Sequence, residues 1–449
     1  MKRVIFVWCM LTVAVLARTE GLSILIIGDS NTENGYITMA LADTLQRYFG
    51  VSSMGTGYIP LNSAFYEIKN NLIPGLSIFY QNPWTLMDMF EGTRLSVKPY
   101  LSPNGHWLKG SAVNTAVAVT SPGNSVDVYS LSDTVGGSFS IIVDNVIKDT
   151  VNTSGSRGVM KTTVRGLTSG SHSMQLKVTS VPASGNITLL GFDARNDLEN
   201  VSKRSVVHNW GNGYAATIDF LGIDSTVFAT GLQKLSPDIV VVLLGTNDHL
   251  QDSRSAPEFK TNLIAIINRI KAAGFTGKIM LVSTFMTNNN SGATYIPQYL
   301  ATSWPQAASE TGVAYWDMST WYGAWNSALM SDANHCNQAG AKKIAVEMLH
   351  QILNRFPPVS HREALPRSAP YAKARPRFAN GRVLVTVERE GLFCIEITDV
   401  KGAVIVKKIG NASRGQVFDC GRAPFSSGMN IVKVSQGAAS VAWRILVAR

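Results

Sequence analysis

Residues 23–30 read Ser-Ile-Leu-Ile-Ile-Gly-Asp-Ser, a short apolar run that ends in a polar turn. A continuous run of this kind is typical of a strand that is buried on both faces, as the strands of a parallel sheet are. Residues 36–48 then carry apolar side chains at helical spacing. The turn therefore places Ser30 at the carboxyl end of a buried strand, directly before a helical region.

The same pattern, an apolar run followed by a stretch with helical spacing, returns in the second half of the chain. Three further apolar runs predict buried strands, and three stretches with helical spacing lie between or after them. The predicted strands are 239–244, 278–284 and 313–317, and the predicted helices are about 256–273, 297–311 and 338–356. Strands that alternate with helices predict an α/β fold with a doubly wound parallel sheet, of the flavodoxin-like three-layer type.

Between residues 55 and 197 the pattern changes to short alternating β runs separated by Gly, Ser and Asn. Few helical patterns intervene, which is typical of an all-β sandwich. Because the α/β pattern resumes after this stretch, we interpret it as a domain inserted into a loop. The α/β domain is then divided into residues 21–54 and 198–356.

The C-terminal end differs in composition from the rest of the chain. Residues 357–382 hold five prolines and six lysines and arginines, which predicts a linker. Residues 383–449 return to β alternation, which predicts a small β-sandwich. The net charge of +10 arises entirely after residue 354. Nucleic-acid binding would require basic and aromatic residues interleaved on one folded face, so this distribution argues against it.

The N-terminus carries features of export. Lys2 and Arg3 precede an apolar stretch from Val4 to Leu16, followed by Ala17, so residues 1–20 predict a signal peptide. An uncleaved membrane anchor is the alternative. We therefore expect the protein to be secreted or at the cell surface, in the periplasmic or extracellular space.

Three cysteines follow the predicted signal peptide. Cys394 and Cys420 share the C-terminal module, where they could pair after export or remain as buried thiols. Cys336 lies beside His335 and is interpreted as a packing residue.

A hydroxyl at the carboxyl end of a parallel strand is a nucleophile only if a base reaches it. The candidate base is His335, which follows Asp332 by three residues. A carboxylate at that spacing can hold one ring nitrogen while the other takes the proton of Ser30. As structural alternatives, Ser30 and Asp332 could each only cap a helix.

Acyl transfer also needs donors for the developing oxyanion. Asn247 follows the buried strand 239–244, so its amide can project over the same edge of the sheet, although a turn role is the alternative. Gly211 follows a short strand at 205–208 and offers an N–H with no side chain in the way. Gly213, two residues later, is the competing glycine, and the N–H of Ser30 would be a third donor.

Four blocks carry this chemistry in order: Gly28-Asp29-Ser30, Gly211, Gly245-Thr246-Asn247-Asp248, and Asp332 to His335. Together they resemble the SGNH hydrolases, also called the GDSL esterase family, over residues 21–54 and 198–356. The resemblance implies Ser30 as nucleophile, His335 as base, Asp332 as its orienting partner, and Ser30, Gly211 and Asn247 as the oxyanion hole. It implies no metal and no cofactor.

Two further resemblances bear on the substrate. The insert resembles the carbohydrate-binding-type jelly rolls of some bacterial polysaccharide and peptidoglycan O-acetylesterases, on the diffuse pattern of residues 166–172 and 185–193. The C-terminal module, through residues 397–402 and 427–432, resembles the sorting modules of secreted bacterial proteins, which implies secretion or cell-surface machinery as a partner. Aromatic residues before the Asp-His turn could in part stack on a sugar: Trp304, Trp316, Trp321, Tyr322 and Trp325.

These features together predict a secreted serine esterase that removes acetyl groups from a polysaccharide. A lipase or thioesterase and a peptidoglycan O-acetylesterase are the enzymatic alternatives. A glycan-binding protein with an inert hydrolase domain is the alternative of a different class.

Overall fold

The structure is a computed structural model that describes most of the chain between residues 21 and 447. The described ranges are 21–49, 55–62, 72–81, 83–91, 93–96, 98–196, 205–285, 288, 295–356, 374–379, 382–387, 391–399, 404–413, 415–422, 428–436 and 439–447. The predicted signal peptide and residues 357–373 of the predicted linker lie outside them. The chain divides into two compact units, of which one spans Thr19–Val359 and the other includes Ser360–Arg449.

The first unit contains the parallel strands of the α/β core and the strands of the insert. In chain order they are β1 (Ser23–Gly28), β2 (Ile59–Pro60), β3 (Ser77–Gln81), β4 (Thr85–Asp88), β5 (Phe90–Glu91), β6 (Thr93–Arg94), β7 (His106–Gly110), β8 (Ala116–Pro122), β9 (Ser125–Ser132), β10 (Ser138–Val143), β11 (Val146–Asn152), β12 (Gly158–Val164), β13 (Ser171–Ser180), β14 (Ile187–Arg195), β15 (Val206–Gly211), β16 (Ile239–Leu243), β17 (Lys278–Val282) and β18 (Ala314–Trp316).

Among the residues that the structure describes, the helices of this unit with defined bounds belong to the α/β core. They are α1 (Ser30–Glu33), α2 (Tyr36–Phe49), α3 (Thr217–Leu221), α4 (Ser225–Leu235), α5 (Thr246–Leu250), α6 (Ala256–Ala272), α7 (Ile296–Gln298), α8 (Trp304–Thr311), α9 (Met318–Tyr322) and α10 (Gln338–Arg355). A π-helical turn, Tyr299–Ser303, joins α7 to α8, and a 3₁₀ turn, Ser327–Leu329, follows α9.

The core sheet is parallel throughout, with the strand order β15-β1-β16-β17-β18. Counted along the α/β core alone, this is the order 2-1-3-4-5 of flavodoxin-like sheets. The predicted fold class is therefore confirmed. In such sheets the strand order reverses beside the first strand, and ligands bind at the carboxyl ends near that reversal.

The central strand β1 is apolar on both faces because it contributes to two separate cores. Leu25 and Ile27 pack in one hydrophobic cluster with residues of α4, α6 and α8. Ile24 and Ile26 pack in the opposite cluster with residues of α2 and α10. All four side chains are fully buried, so the continuous apolar run reflects a sheet covered by helices on both sides.

The insert is a sandwich of two antiparallel sheets. One sheet has the order β11-β10-β13-β8-β3 and the other β12-β9-β14-β7-β4, with β2 paired to β14. Side chains such as Phe139 and Leu176 from the first sheet and Val128 and Phe192 from the second form a common core. This arrangement agrees with the predicted inserted β-sandwich.

The insert and the α/β core share buried contacts and form one compact unit. Trp107 and Tyr129 of the insert belong to the same hydrophobic cluster as Trp210 and Phe228 of the core. Arg94 of the insert pairs with two core carboxylates, with Nε 2.6 Å from Asp219 Oδ1 and a terminal nitrogen 2.7 Å from Asp252 Oδ1. Because the Asp219 side chain is fully buried, this ion pair ties the two parts together.

The C-terminal unit contains two antiparallel sheets, in agreement with the predicted small β-sandwich. Its strands are β19 (Ala374–Ala379), β20 (Arg382–Val387), β21 (Gly391–Asp399), β22 (Val404–Ala412), β23 (Val417–Arg422), β24 (Gly428–Gln436) and β25 (Ala439–Val447). Strand β19 pairs with β20, so the module begins at least at Ala374 and the predicted linker 357–382 is too long at its C-terminal end. Because the sequence of β19 contains arginines and a proline, it resembles a linker and lacks the alternation of apolar and polar residues that predicts a strand. Cys420 is a buried free thiol, which agrees with the alternative of buried thiols and not with a pair between Cys394 and Cys420. The side chain of Cys394 lies outside the described ones.

We predict that a chain ending at Phe356 folds and keeps its activity on a small acetyl ester. The division into two units places every element of the α/β core and the insert before that residue. The thermal midpoint and kcat/KM of the truncated and full-length chains test this. A tenfold loss of kcat/KM together with a clearly lower midpoint would show that the C-terminal module belongs to the catalytic unit.

Candidate active site

The site forms where β1, β15 and β16 end side by side. Gly28 of β1 pairs in register with Gly211 of β15 and Leu243 of β16, so the turns after these strands meet at one edge. Ser30 begins helix α1 immediately after β1. The preceding residue, Asp29, caps this helix by accepting a hydrogen bond of 3.0 Å from the N–H of Asn31. The nucleophile candidate is therefore held by a capped helix start on the central strand.

Ser30, His335 and Asp332 lie in one hydrogen-bonded line. His335 Nε2 is 2.8 Å from Ser30 Oγ, and His335 Nδ1 is 2.8 Å from Asp332 Oδ2. Residues 305 positions apart in the sequence are thus in direct contact. A ring held through Nδ1 by a carboxylate leaves Nε2 as the acceptor for the serine proton, which is the arrangement that a serine nucleophile requires.

Asp332 is held in its ionised form by its own turn. Partial burial opposes the charge, but the N–H groups of Asn334 and His335 donate to Oδ1 at 2.7 and 2.8 Å, and the His335 ring adds a third hydrogen bond. These donors together hold the pKa of Asp332 below its usual value. At neutral pH the carboxylate is thus available to orient the imidazole.

Asn31 joins the two halves of this constellation. Its Nδ2 donates to the carbonyl of Asn334 at 3.2 Å, and its Oδ1 accepts the N–H of Cys336 at 3.2 Å. The side chain is almost fully buried, so both bonds are shielded from water. Asn31 therefore fixes the turn that carries His335 against the helix that carries Ser30.

Cys336 lies beneath this turn in the hydrophobic core. Its side chain is fully buried, and burial raises the pKa of its thiol to about 12. A thiol in such surroundings stays protonated and unreactive. This agrees with the interpretation of Cys336 as a packing residue.

Asn247 lies at the start of α5 and lines the cleft beside Ser30. Its Nδ2 donates one hydrogen to the carbonyl of Ala215 at 3.2 Å, which orients the amide and leaves the second hydrogen for another acceptor. The N–H of Ser30, at the first position of its helix, has no acceptor within the helix. Both predicted donors therefore lie at the cleft.

The geometry does not support Gly211 as the third donor. Its N–H donates to Asn209 Oδ1 at 2.8 Å, and a Cβ at this position would lie 2.2 Å from the backbone nitrogen of Glu33. Gly211 is thus the point where β15 and helix α1 approach too closely for a side chain. It is not among the residues that line the cleft.

Gly213 occupies the place that was expected for Gly211. The N–H of Ala215 bonds to the carbonyl of Asn212, so Gly213 and Tyr214 form the centre of a turn. Gly213 lines the cleft, and among the described residues none accepts a hydrogen bond from its N–H. The geometry thus makes Ser30, Gly213 and Asn247 the candidate oxyanion donors of this site.

The cleft has a volume of about 270 Å³, and most of the residues in its walls have polar side chains, although apolar atoms form the larger part of its surface. Besides the residues above, its walls contain Glu33, Asp88, Phe90, Tyr214, Thr246, Leu250, Gln251 and Asn334. The aromatic residues that the sequence nominated for sugar stacking are absent from these walls. Trp304, Trp316 and Tyr322 are buried, and Trp321 and Trp325 pack against the core.

The described residues offer no group of three or more His, Cys, Asp or Glu side chains placed to hold a metal ion. In the same residues, no helix has the length and apolar character needed to cross a membrane.

Several residues of the site carry no recognisable signal in the sequence. Asn31 bonds to the N–H of Cys336 and Asn209 to the carbonyl of Glu33, each a segment far along the chain that no local pattern reveals. Asp88 and Phe90 reach the cleft from the insert, and only its packing on the core places them there.

Comparison with known proteins agrees with this architecture. Residues 192–343 match the model of the GDSL-like lipase/acylhydrolase family. No curated protein matches the chain. A solved structure described as a peptidoglycan O-acetylesterase is similar over 76% of this chain and 92% of its own, with 15% identity and a TM-score of 0.57. At this identity the likeness shows the fold.

Family two carbohydrate esterases from Clostridium thermocellum and Cellvibrio japonicus are also similar. The first has 14% identity, coverage of 61% of this chain and 99% of its own, and a TM-score of 0.29. The second has 11% identity, coverage of 62% and 98%, and a TM-score of 0.27. These scores are too low to support an argument. The chain thus combines a match of residues 192–343 to the GDSL-like lipase/acylhydrolase family model with a core sheet of the flavodoxin-like strand order.

Proposed function

We propose that the protein is an exported serine esterase that removes O-acetyl groups from a polysaccharide. The observation that carries the proposal is the unbroken line of hydrogen bonds from Ser30 through His335 to Asp332 in the cleft. An inert hydrolase domain in a glycan-binding protein would not need to keep this geometry.

The first half of the reaction transfers the acetyl group to the enzyme. Ser30 Oγ attacks the ester carbonyl carbon while His335 Nε2 takes its proton. The carbonyl oxygen becomes an oxyanion facing the N–H groups of Ser30 and Gly213 and the amide of Asn247. The intermediate collapses, the alcohol of the sugar leaves with the proton from His335, and an acetyl-Ser30 ester remains.

The second half restores the enzyme. Water attacks the acetyl carbon, and His335 Nε2 takes the proton of this water. The same three donors stabilise the second oxyanion, acetate leaves, and Ser30 recovers its proton from His335. Asp332 stabilises the imidazolium that forms in each half and keeps its ring in place.

The lining of the cleft favours a short acyl group on a hydroxyl-rich alcohol. A lipase or thioesterase needs an extended apolar surface for the acyl chain, whereas the cleft at Ser30 has a volume of only about 270 Å³ and most residues in its walls have polar side chains. The O-acetylesterase with the same fold acts on peptidoglycan, according to its description, and is compatible with an acetyl ester as substrate here. Acetate release from acetylated xylan, mannan, pectin and peptidoglycan would identify the polymer.

We predict that Ser30→Ala abolishes ester hydrolysis while the fold survives. Loss of a triad nucleophile costs on the order of 10³-fold or more in kcat. Hydrolysis of p-nitrophenyl acetate and the thermal midpoint measure the two effects, with Ser171→Ala, at an exposed serine of the insert, as the matched control. Retention of more than a tenth of the wild-type activity would refute the role of Ser30.

For Asn247→Ala, the expected result is a fall in kcat that exceeds any rise in KM. A donor aimed at the oxyanion acts mainly in the transition state, and removing one costs roughly 10²–10³ in kcat. Asn262→Ala is the matched control, because Asn262 donates to Thr217 away from the cleft walls. An unchanged kcat in Asn247→Ala would mean that this residue serves only the turn.

Asn31→Ala should lower both kcat and stability. The N–H of Cys336 loses its acceptor in a buried place, which costs about 1–3 kcal/mol, and the turn that carries His335 loses its attachment to helix α1. Steady-state kinetics and chemical denaturation measure the two effects. Wild-type kcat in a destabilised variant would show that Asn31 supports the fold and has no part in positioning His335.

A further inference from the structure

The insert contributes two residues to the cleft beside Ser30. Asp88 ends strand β4 and Phe90 begins β5, and both side chains line the cleft together with Tyr214 of the core. One wall of the candidate active site is therefore supplied by a different fold from the one that supplies Ser30.

Asp88 is held in a defined orientation by neighbours from both parts of the chain. Its Oδ1 accepts the N–H of Phe90 at 3.0 Å and Nδ2 of Asn212 at 2.9 Å, and its Oδ2 lies 3.5 Å from His106 Nδ1. About a fifth of the side chain remains exposed. A carboxylate fixed in this way is preorganised to accept a further hydrogen bond from a molecule in the cleft.

A second carboxylate lies behind it. Glu33 of helix α1 is buried, lines the same cleft, and has Oε1 3.0 Å from His106 Nε2. One imidazole is thus shared between two carboxylates. Among the described residues that line the cleft, Asp88 and Glu33 are carboxylic acids and none is a lysine or an arginine. Burial raises the pKa of Asp88, and His106 opposes this shift, so a further anion beside Asp88 would meet acidic groups without a lysine or an arginine in the walls.

Phe90 and Tyr214 form an aromatic surface at the rim. Their ring centroids are 5.5 Å apart with an angle of 22° between the planes, and Tyr214 is 56% exposed. Tyr214 has φ of 59°, in the left-handed region that non-glycine residues seldom occupy. The turn that presents the N–H of Gly213 therefore also holds this ring outward, and such backbone strain is typical of functional positions.

We propose that Asp88, Phe90 and Tyr214 form the subsite for the sugar that bears the ester, and that this subsite selects an uncharged sugar. The aromatic pair contacts the apolar face of the ring, while Asp88 accepts a hydrogen bond from a free hydroxyl. A uronate brings a second negative charge next to Asp88 and Glu33 and is disfavoured. This inference rests on the proposed esterase function and names its substrate class.

The experiment compares two acetylated oligosaccharides that differ in charge. An acetylated xylo-oligosaccharide is uncharged, and an acetylated oligogalacturonate is anionic. In wild type, kcat/KM for the uncharged probe should exceed that for the anionic probe at least tenfold, and added salt should reduce this ratio. In Asp88→Asn, which keeps the shape and removes the charge, the ratio should fall at least fivefold.

Tyr214→Gly tests the aromatic surface without straining the turn, since glycine adopts a positive φ freely. We expect its KM for the xylo-oligosaccharide to rise at least fivefold, and its kcat/KM for p-nitrophenyl acetate to fall much less. Phe79→Ala is the control, because Phe79 is an exposed aromatic residue of the insert outside the cleft walls. Phe79→Ala should change neither the KM for the xylo-oligosaccharide nor the kcat/KM for p-nitrophenyl acetate.

Other results would overturn the subsite. A ratio of the two probes that is the same in wild type and Asp88→Asn, or a KM for the xylo-oligosaccharide unaffected in Tyr214→Gly, would remove it while Ser30-dependent hydrolysis still stands. If wild type cleaves p-nitrophenyl acetate but neither oligosaccharide, the proposal of a polysaccharide substrate fails along with the subsite. If Ser30→Ala remains active, the esterase mechanism itself is wrong.

Discussion

The parallel pairing of β1 with both β15 and β16 is the constraint on which the site depends. It sets Gly28, Gly211 and Leu243 side by side, so the residues that follow each strand emerge at one edge. Ser30, Gly213 and Asn247 are each within four residues of these strand ends. A shift of one strand by a single residue would move one donor away from the reacting carbon by about 3.3 Å, which no side-chain adjustment could recover.

This constraint also explains how the chain tolerates a long insertion between two neighbouring strands. Residues Gly55 and Arg195 form an isolated bridge, so the insert leaves and rejoins the core at nearly the same point. The entropy cost of a loop grows only slowly with its length, and the insert has its own core to stabilise it. Strands β1 and β15 therefore still pair in the sheet, although the β-sandwich separates them in the sequence. The same closeness brings β4 and β5 over the carboxyl edge of the sheet.

The sequence is most informative where the cause of a pattern is local. Ile239–Leu243 was predictable because a strand buried on both faces must be continuously apolar, and Asp332 and His335 were predictable because three residues of one turn bring a carboxylate to an imidazole. The sequence could not separate Gly211 from Gly213 as a donor, because both offer an N–H with no side chain in the way. The difference arises only when the side chain of Asn209 folds back and takes the N–H of Gly211. Strand β19 was missed because its arginines look like those of a linker, and it becomes a strand only by pairing with β20.

The residues of the cleft fall into two groups, according to which part of the fold fixes their position. The reacting groups and their donors come from strand ends and turns of the α/β core, where geometry is set by the backbone of a rigid sheet. The groups placed to meet the rest of the substrate come from the insert and from the turn at Tyr214, where a change of side chain leaves the sheet pairing untouched. Asn212 connects the two, since its amide holds Asp88 while its carbonyl closes the turn that presents Gly213. A molecule that displaces Asp88 would thus also act on the turn that carries Gly213. In the proposed mechanism, Asn212 would therefore couple recognition of the sugar to stabilisation of the transition state.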